Sequence, residues 1–132
     1  MTRSEENKLA FNSIYAILAR QMMQEDYDPA EVIAGVCNCD FDDVPLFVKR
    51  IVVKAIANQV EIENLIKQNL KNWEYDRVTL IRKACILFAF SDCKYCQEVD
   101  KITAINIVIN FAKEYGDVND YKFINAILDK TL

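Results

Sequence analysis

The side chains able to do chemistry in this 132-residue chain are thiols, carboxylates, lysines, arginines and aromatics, because histidine is absent. Its absence removes Ser-His-Asp and Cys-His catalysis and every His-liganded metal site. Two cysteine pairs remain, Cys37-Asn38-Cys39 and Cys93-Lys94-Tyr95-Cys96, with Cys85 as an odd fifth. Four thiolates could hold one zinc, and the second spacing is that of zinc knuckles. Neither pair carries the glycine or small-residue turn of such sites, so free thiols, no metal and no cofactor are expected. A redox pair normally opens a helix after a strand, whereas Cys93 and Cys96 follow a helix. The neighbouring acids Glu61 and Glu63, and Asp42 and Asp43, do not face each other on a helix. Gly35 and Gly116 are isolated, so there is no glycine-rich phosphate loop. The chain reads as a non-enzyme.

The bases are more informative. Lys67, Lys71, Arg77, Arg82 and Lys83 surround Trp73, and Lys113, Lys122 and Lys130 lie among Tyr115, Tyr121 and Phe123. Bases interleaved with rings suit single-stranded RNA, cations for phosphates and rings for stacking. The bland reading is solvated lysines over a core phenylalanine. The net charge of −4 is unevenly spread: residues 21–48 hold seven of the twenty acids and no base, leaving sixteen bases against thirteen acids elsewhere. An acidic protein of this kind can still present a basic face.

These residues need elements to position them. With 52% hydrophobic residues and only two Gly and two Pro, the composition suits an all-α single domain over 1–132. Ser4 serves as cap for a first helix over 4–24 with Leu9, Ile14, Ile17, Leu18 and Met22 on one face. Asp28-Pro29 opens a short second helix. Asp42 or Asp43 then caps a long one running without a break from 44 to 70. After a link in which Trp73 should pack at least half buried, Asp76 caps a helix to Phe90 whose second half is apolar all round and therefore central. A polar loop over 91–101 leads to a helix over 103–115, closed by Gly116 as a left-handed end residue. Asn119 caps the last helix, on which Ile124, Ile127 and Leu128 form the buried stripe and leave Phe123 partly exposed, beside helix-end amides that attract phosphate. The N-terminal residues have no signal-peptide core, and the longest apolar run, 84–90, is far short of the ~20 residues of a membrane span, so a cytoplasmic location is expected.

Four segments together are distinctive: Leu70-Lys71-Asn72-Trp73-Glu74-Tyr75-Asp76-Arg77, Ala104-Ile105-Asn106, Phe111-Ala112-Lys113-Glu114-Tyr115-Gly116, and Tyr121-Lys122-Phe123-Ile124-Asn125-Ala126-Ile127-Leu128-Asp129-Lys130. In this order and spacing they resemble the NusB family, clearly over 70–130 and in outline over the whole chain. The resemblance implies a helical bundle of six to seven helices. It implies a transcription antitermination and ribosomal RNA maturation factor, acting with RNA polymerase. Its partners would be boxA-type RNA and a small-subunit ribosomal protein, Nus factor E. It places the family's RNA contacts on Asn119, Lys122 and Phe123, with Arg3 and Lys8 as the remnant of an N-terminal arginine cluster. It places Tyr15 near RNA and protein partner, and Arg82 joins it as a partner-side candidate. The family's Leu-Arg-x-Ala-x-Tyr-Glu becomes Ile86-Leu87-Phe88-Ala89-Phe90-Ser91-Asp92, which reads as a buried Arg–Glu pair replaced by apolar residues.

Ile107 and Phe111, four apart on the fifth helix, would make a sticky patch for a protein partner or a homodimer if exposed. The rival function is therefore a NusB-like interaction module with weak or no RNA binding. Two further rivals are a zinc-stabilised domain and a detached RNA module of the kind found in ribosomal RNA cytosine methyltransferases.

Overall fold

The computed structural model describes residues 1–71 and 75–132, with Asp76 described in its backbone alone. The expected environment of Trp73 lies outside the described residues. Among those residues there are seven α-helices and no strand: α1 Arg3–Met22, α2 Pro29–Cys37, α3 Leu46–Ala57, α4 Gln59–Asn69, α5 Leu80–Phe90, α6 Lys101–Tyr115 and α7 Val118–Thr131.

α5 is the centre, as its sequence demands. Every side chain from Ala84 to Phe90 is buried, so no face is left for water, and α1, α3, α4, α6 and α7 all pack against it. Phe11 of α1 stacks on Phe111 of α6 at 4.6 Å between ring centroids, and Phe88 of α5 meets Phe111 edge-on at 5.5 Å. Phe111 is therefore core, which removes the expected sticky patch. Ile107, half-buried, packs against the same core. One heptad of helix faces both solvent and neighbours, and only packing decides which residue of a four-spaced pair is covered.

Several boundaries differ from those read in the sequence. Thr2, not Ser4, caps α1, in a reciprocal box with Glu5. Asp28 caps α2 as expected. Asp42 and Asp43 lie in a 3-10 turn, Phe41–Asp43, and Pro45 occupies the cap position of α3. The continuous helix over 44–70 is two helices. At Asn58 the backbone leaves the helical region and the side-chain amide donates to the Lys54 carbonyl at 2.8 Å, competing with the helix for its acceptor. Gln59 then pairs reciprocally with Gln21 of α1, at 2.9 and 2.7 Å, tying the second helix of the break to the first helix of the chain. Thr79, not Asp76, caps α5. The expected polar loop begins instead as a π-helical turn, Ser91–Tyr95, in which Ser91 and Asp92 are buried and the Ser91 hydroxyl donates to Ile51 of α3 at 2.6 Å. Among the described residues no helix is long and apolar enough to cross a membrane.

Candidate nucleic-acid interface

α7 starts at a corner built from acids. Asp117 is its cap, accepting from the amides of Asn119 at 2.9 Å and Asp120 at 3.0 Å, and the Asp120 carboxylate accepts from the Asp117 amide at 2.9 Å. Asn119 is thus the second residue of the helix rather than its cap. The amides expected to attract phosphate are occupied by a carboxylate, which as an ionised acceptor outcompetes a neutral amide oxygen. An acid at the cap and a second in the first turn make this corner unattractive to an anion. The spacing Asp117-x-x-Asp120 is a capping-box pattern that was legible in the sequence.

Asp120 also accepts from Arg82 Nε of α5 at 2.7 Å, with both side chains largely covered. Burial works against the Asp120 charge, but the Asp117 amide and the Arg82 guanidinium outweigh it and hold the carboxyl below its ordinary range. The same guanidinium lies over the ring of Phe123, 4.6 Å from its centroid. Arg82 is therefore turned toward Asp120 and Phe123, as a prop for the ring. Phe123 is partly exposed, as expected, because Ile124, Ile127 and Leu128 fill the buried stripe of α7. Lys122 beside it is exposed, and Lys113 of α6 sits 5.3 Å from the Tyr121 ring.

The remaining candidates fall in two other places. Lys8 of α1 pairs with Glu114 in the last turn of α6 at 3.5 Å, near the α6–α7 corner. Tyr15, exposed, lines a cleft of about 280 Å³ with Phe11, Asn12, Ile81 and Tyr115, and Phe11 stacks on Tyr115 at 5.8 Å. Asn12 and Ile81 carry no motif, and nothing in the sequence brings Tyr115 beside Tyr15, so sequence alone could not assemble that cleft. Arg3 does not join the α7 group. It bonds Glu98 at 3.3 Å, lies 3.9 Å from Glu6 and covers the Phe47 ring of α3 at 3.8 Å, while Arg50 takes the other Glu98 oxygen at 2.7 Å.

Near that network Asp92 is 1% exposed, and neither oxygen of its carboxylate has a hydrogen-bond partner among the described residues. Burial pushes its carboxyl up to about 6, Glu98 adding to the rise and Arg3 opposing it. The expected replacement of a buried Arg–Glu pair by apolar residues is thus half right: Leu87 is buried and apolar, but Asp92 keeps a buried acid. Burial also raises the thiols of Cys37, Cys85 and Cys93, which weakens them as ligands and nucleophiles at neutral pH. Among the described residues no cluster of three or more acid or thiol side chains is placed to hold a metal.

Known proteins share this architecture. A NusB protein from T. maritima superposes with a TM-score of 0.81 at 20% identity, over 99% of this chain and 90% of that one. A structure of antitermination factors NusB and NusE in complex with dsRNA gives the same TM-score at 20% identity, over 99% and 97%. At that identity the likeness is one of fold. In sequence, the transcription antitermination protein NusB of Bacillus mycoides is 34% identical over 82 residues, and that of Treponema denticola 37% over 84. These alignments cover 62% and 64% of this chain, and the chain spans 63% and 62% of those relatives' lengths. The family model for NusB matches residues 4–132, which with the helical order, the covered α5 and the α7 tail places the chain in the NusB family.

Proposed function

We propose that this chain acts as one domain in the cytoplasm, as a non-enzymatic factor for transcription antitermination and ribosomal RNA maturation. It binds boxA-type RNA together with a small-subunit ribosomal protein, Nus factor E, as part of an antitermination complex on RNA polymerase. The observation that carries this reading is Phe123: a ring left partly open on α7, propped by Arg82, with the exposed Lys122 next to it. A half-buried ring at the edge of the core, next to an exposed cation, suits a stacked base and its phosphate. Proteins of the same family carry the antitermination name, and one is solved with NusE and dsRNA. The cleft at Tyr15 is the surface for the protein partner. The homodimer reading loses its main support because Phe111 is covered.

RNA titration paired with thermal melting tests this. Phe123→Ala should weaken binding of boxA-type RNA by ~1–3 kcal/mol and leave the melting temperature nearly unchanged. Lys122→Ala should chiefly flatten the salt dependence. Unchanged RNA affinity with a large loss of stability in Phe123→Ala would remove the residue-level support for RNA binding.

A further inference from the structure

A cavity of about 470 Å³ opens between the end of α1, the outer face of α4 and the start of α5, and among the described residues none of α7 lines it. Its size is that of a small-molecule site. Gln59, Glu63 and Lys67 line it four apart on α4, so one stripe of that helix carries an amide, a carboxylate and an ammonium in order over about 12 Å. At one end the amides are closed on each other. The Gln21 nitrogen donates to the Gln59 oxygen at 2.9 Å and to the Tyr27 hydroxyl at 3.0 Å. The Gln59 nitrogen donates to the Gln21 oxygen at 2.7 Å and to Glu63 at 3.0 Å. Both amide nitrogens have spent their hydrogens, so this wall has only lone pairs left to offer, on the amide oxygens and on the second Glu63 oxygen. At the other end Lys67 and Lys83 reach one ring, that of the buried Tyr75, at 5.6 and 4.6 Å from its centroid. Among the described residues neither ammonium is paired with a carboxylate. Two cations gathered on one ring repel each other, and an anion between them removes that repulsion. Leu18, Leu80 and Tyr75 supply the apolar surface.

We propose that this cavity binds a free nucleoside monophosphate whose base carries an amino group. The phosphate draws Lys67 and Lys83 together, and the amino group donates to the lone pairs of the Gln21–Gln59–Glu63 wall. An extended mononucleotide spans about the length of the α4 stripe, about 12 Å. Charge and hydrogen-bonding capacity select the occupant. An apolar peptide or a second copy of the chain would cover two unpaired ammonium groups and a carboxylate, at a desolvation cost. Inorganic phosphate would meet the lysines and leave the wall and the apolar surface unused. The inference does not rest on the RNA reading: it uses two lysines of the basic group in the sequence that the α7 surface leaves aside.

The test is calorimetric titration of the full chain with CMP, UMP and inorganic phosphate. CMP should bind about tenfold more tightly than UMP, which turns a carbonyl toward the acceptors of the wall, and more tightly than phosphate alone. Lys67→Gln and Lys83→Gln should each weaken CMP binding by about tenfold. Glu63→Gln should narrow the preference for CMP over UMP. All three side chains are exposed or half-buried and glutamine is a good helix former, so the fold is kept, as thermal melting will show. No CMP binding at millimolar concentration overturns the proposal, and so does equal binding of CMP, UMP and phosphate, which would leave an anion site only. CMP binding that both lysine variants leave unchanged places the nucleotide elsewhere and overturns the site. A 5′-phosphorylated oligoribonucleotide that needs these lysines while CMP does not bind would make the occupant a strand end and overturn the free nucleotide.

Discussion

At Asp92 the π-turn after α5 holds a carboxyl that water does not reach. Its folded pKa, about 6, lies above the ordinary 3.8, with burial the main cause. Folding therefore favours the protonated acid. Its contribution is fully present below about pH 4, where both states hold the proton, and is lost as pH rises through about 6. Above that, the folded protein carries a buried charge that Arg3 compensates only in part. Asp92→Asn removes the titration and keeps the shape. Relative to the Asn variant, the unaltered protein should gain ~2–3 kcal/mol of stability between about pH 7 and about pH 4. Parallel thermal melts at a series of pH values measure this, and a constant difference between the two proteins would mean that Asp92 does not titrate in that window.

The corner between α6 and α7 sets how α7 presents Phe123. Gly116 stands there, but with φ of −122° it is extended rather than left-handed, so backbone freedom is not the reason for it. A Cβ at this position would run into the Asp120 carboxylate and meet the Ala112 carbonyl at 3.0 Å. Asp120 cannot move aside freely, being bonded to the Asp117 amide and to Arg82. Gly116→Ala should therefore destabilise the protein by ~1–3 kcal/mol. In an Asp120→Ala background most of that cost should vanish, giving a clear coupling in a double-mutant cycle read by denaturant melts. Additive effects would place the strain elsewhere. Because Asp120 steadies Arg82 and Arg82 the ring, Gly116→Ala should also weaken RNA binding.

Over the whole molecule the charges separate. The seven acids between residues 21 and 48 are all exposed, in the link between α1 and α2, on α2 and in the segment after it, and α2 packs on α1. α7 packs instead on α4, α5 and α6. An acidic face away from the proposed RNA surface on α7 acts through the long-range field alone, and salt screens it beyond ~8–10 Å at physiological strength. Replacing Glu25, Glu31 and Asp42 by their amides should raise RNA affinity a few-fold at low salt, equally for boxA-type and scrambled sequences. The gain should fade as salt is added. A change confined to one RNA sequence would mean that the acidic face touches the RNA.

The all-α class, the central α5 and the open Phe123 were legible in the sequence. They depend on quantities that repeat along the chain: few turn residues, a helix apolar on every side, and an apolar stripe on α7 complete without the phenylalanine. The NusB resemblance rested likewise on segments whose order and spacing survive in one dimension. Contacts across the chain were not legible. Phe111 is core because Phe11 and Phe88 close over it from α1 and α5. Arg82 is a prop because Asp120, 38 residues away, comes within 2.7 Å. The burial of Asp92 likewise exists only once the helices have packed. Local propensity and periodicity act within a turn or two, whereas burial and charge partnership are properties of neighbours that the chain brings together from a distance.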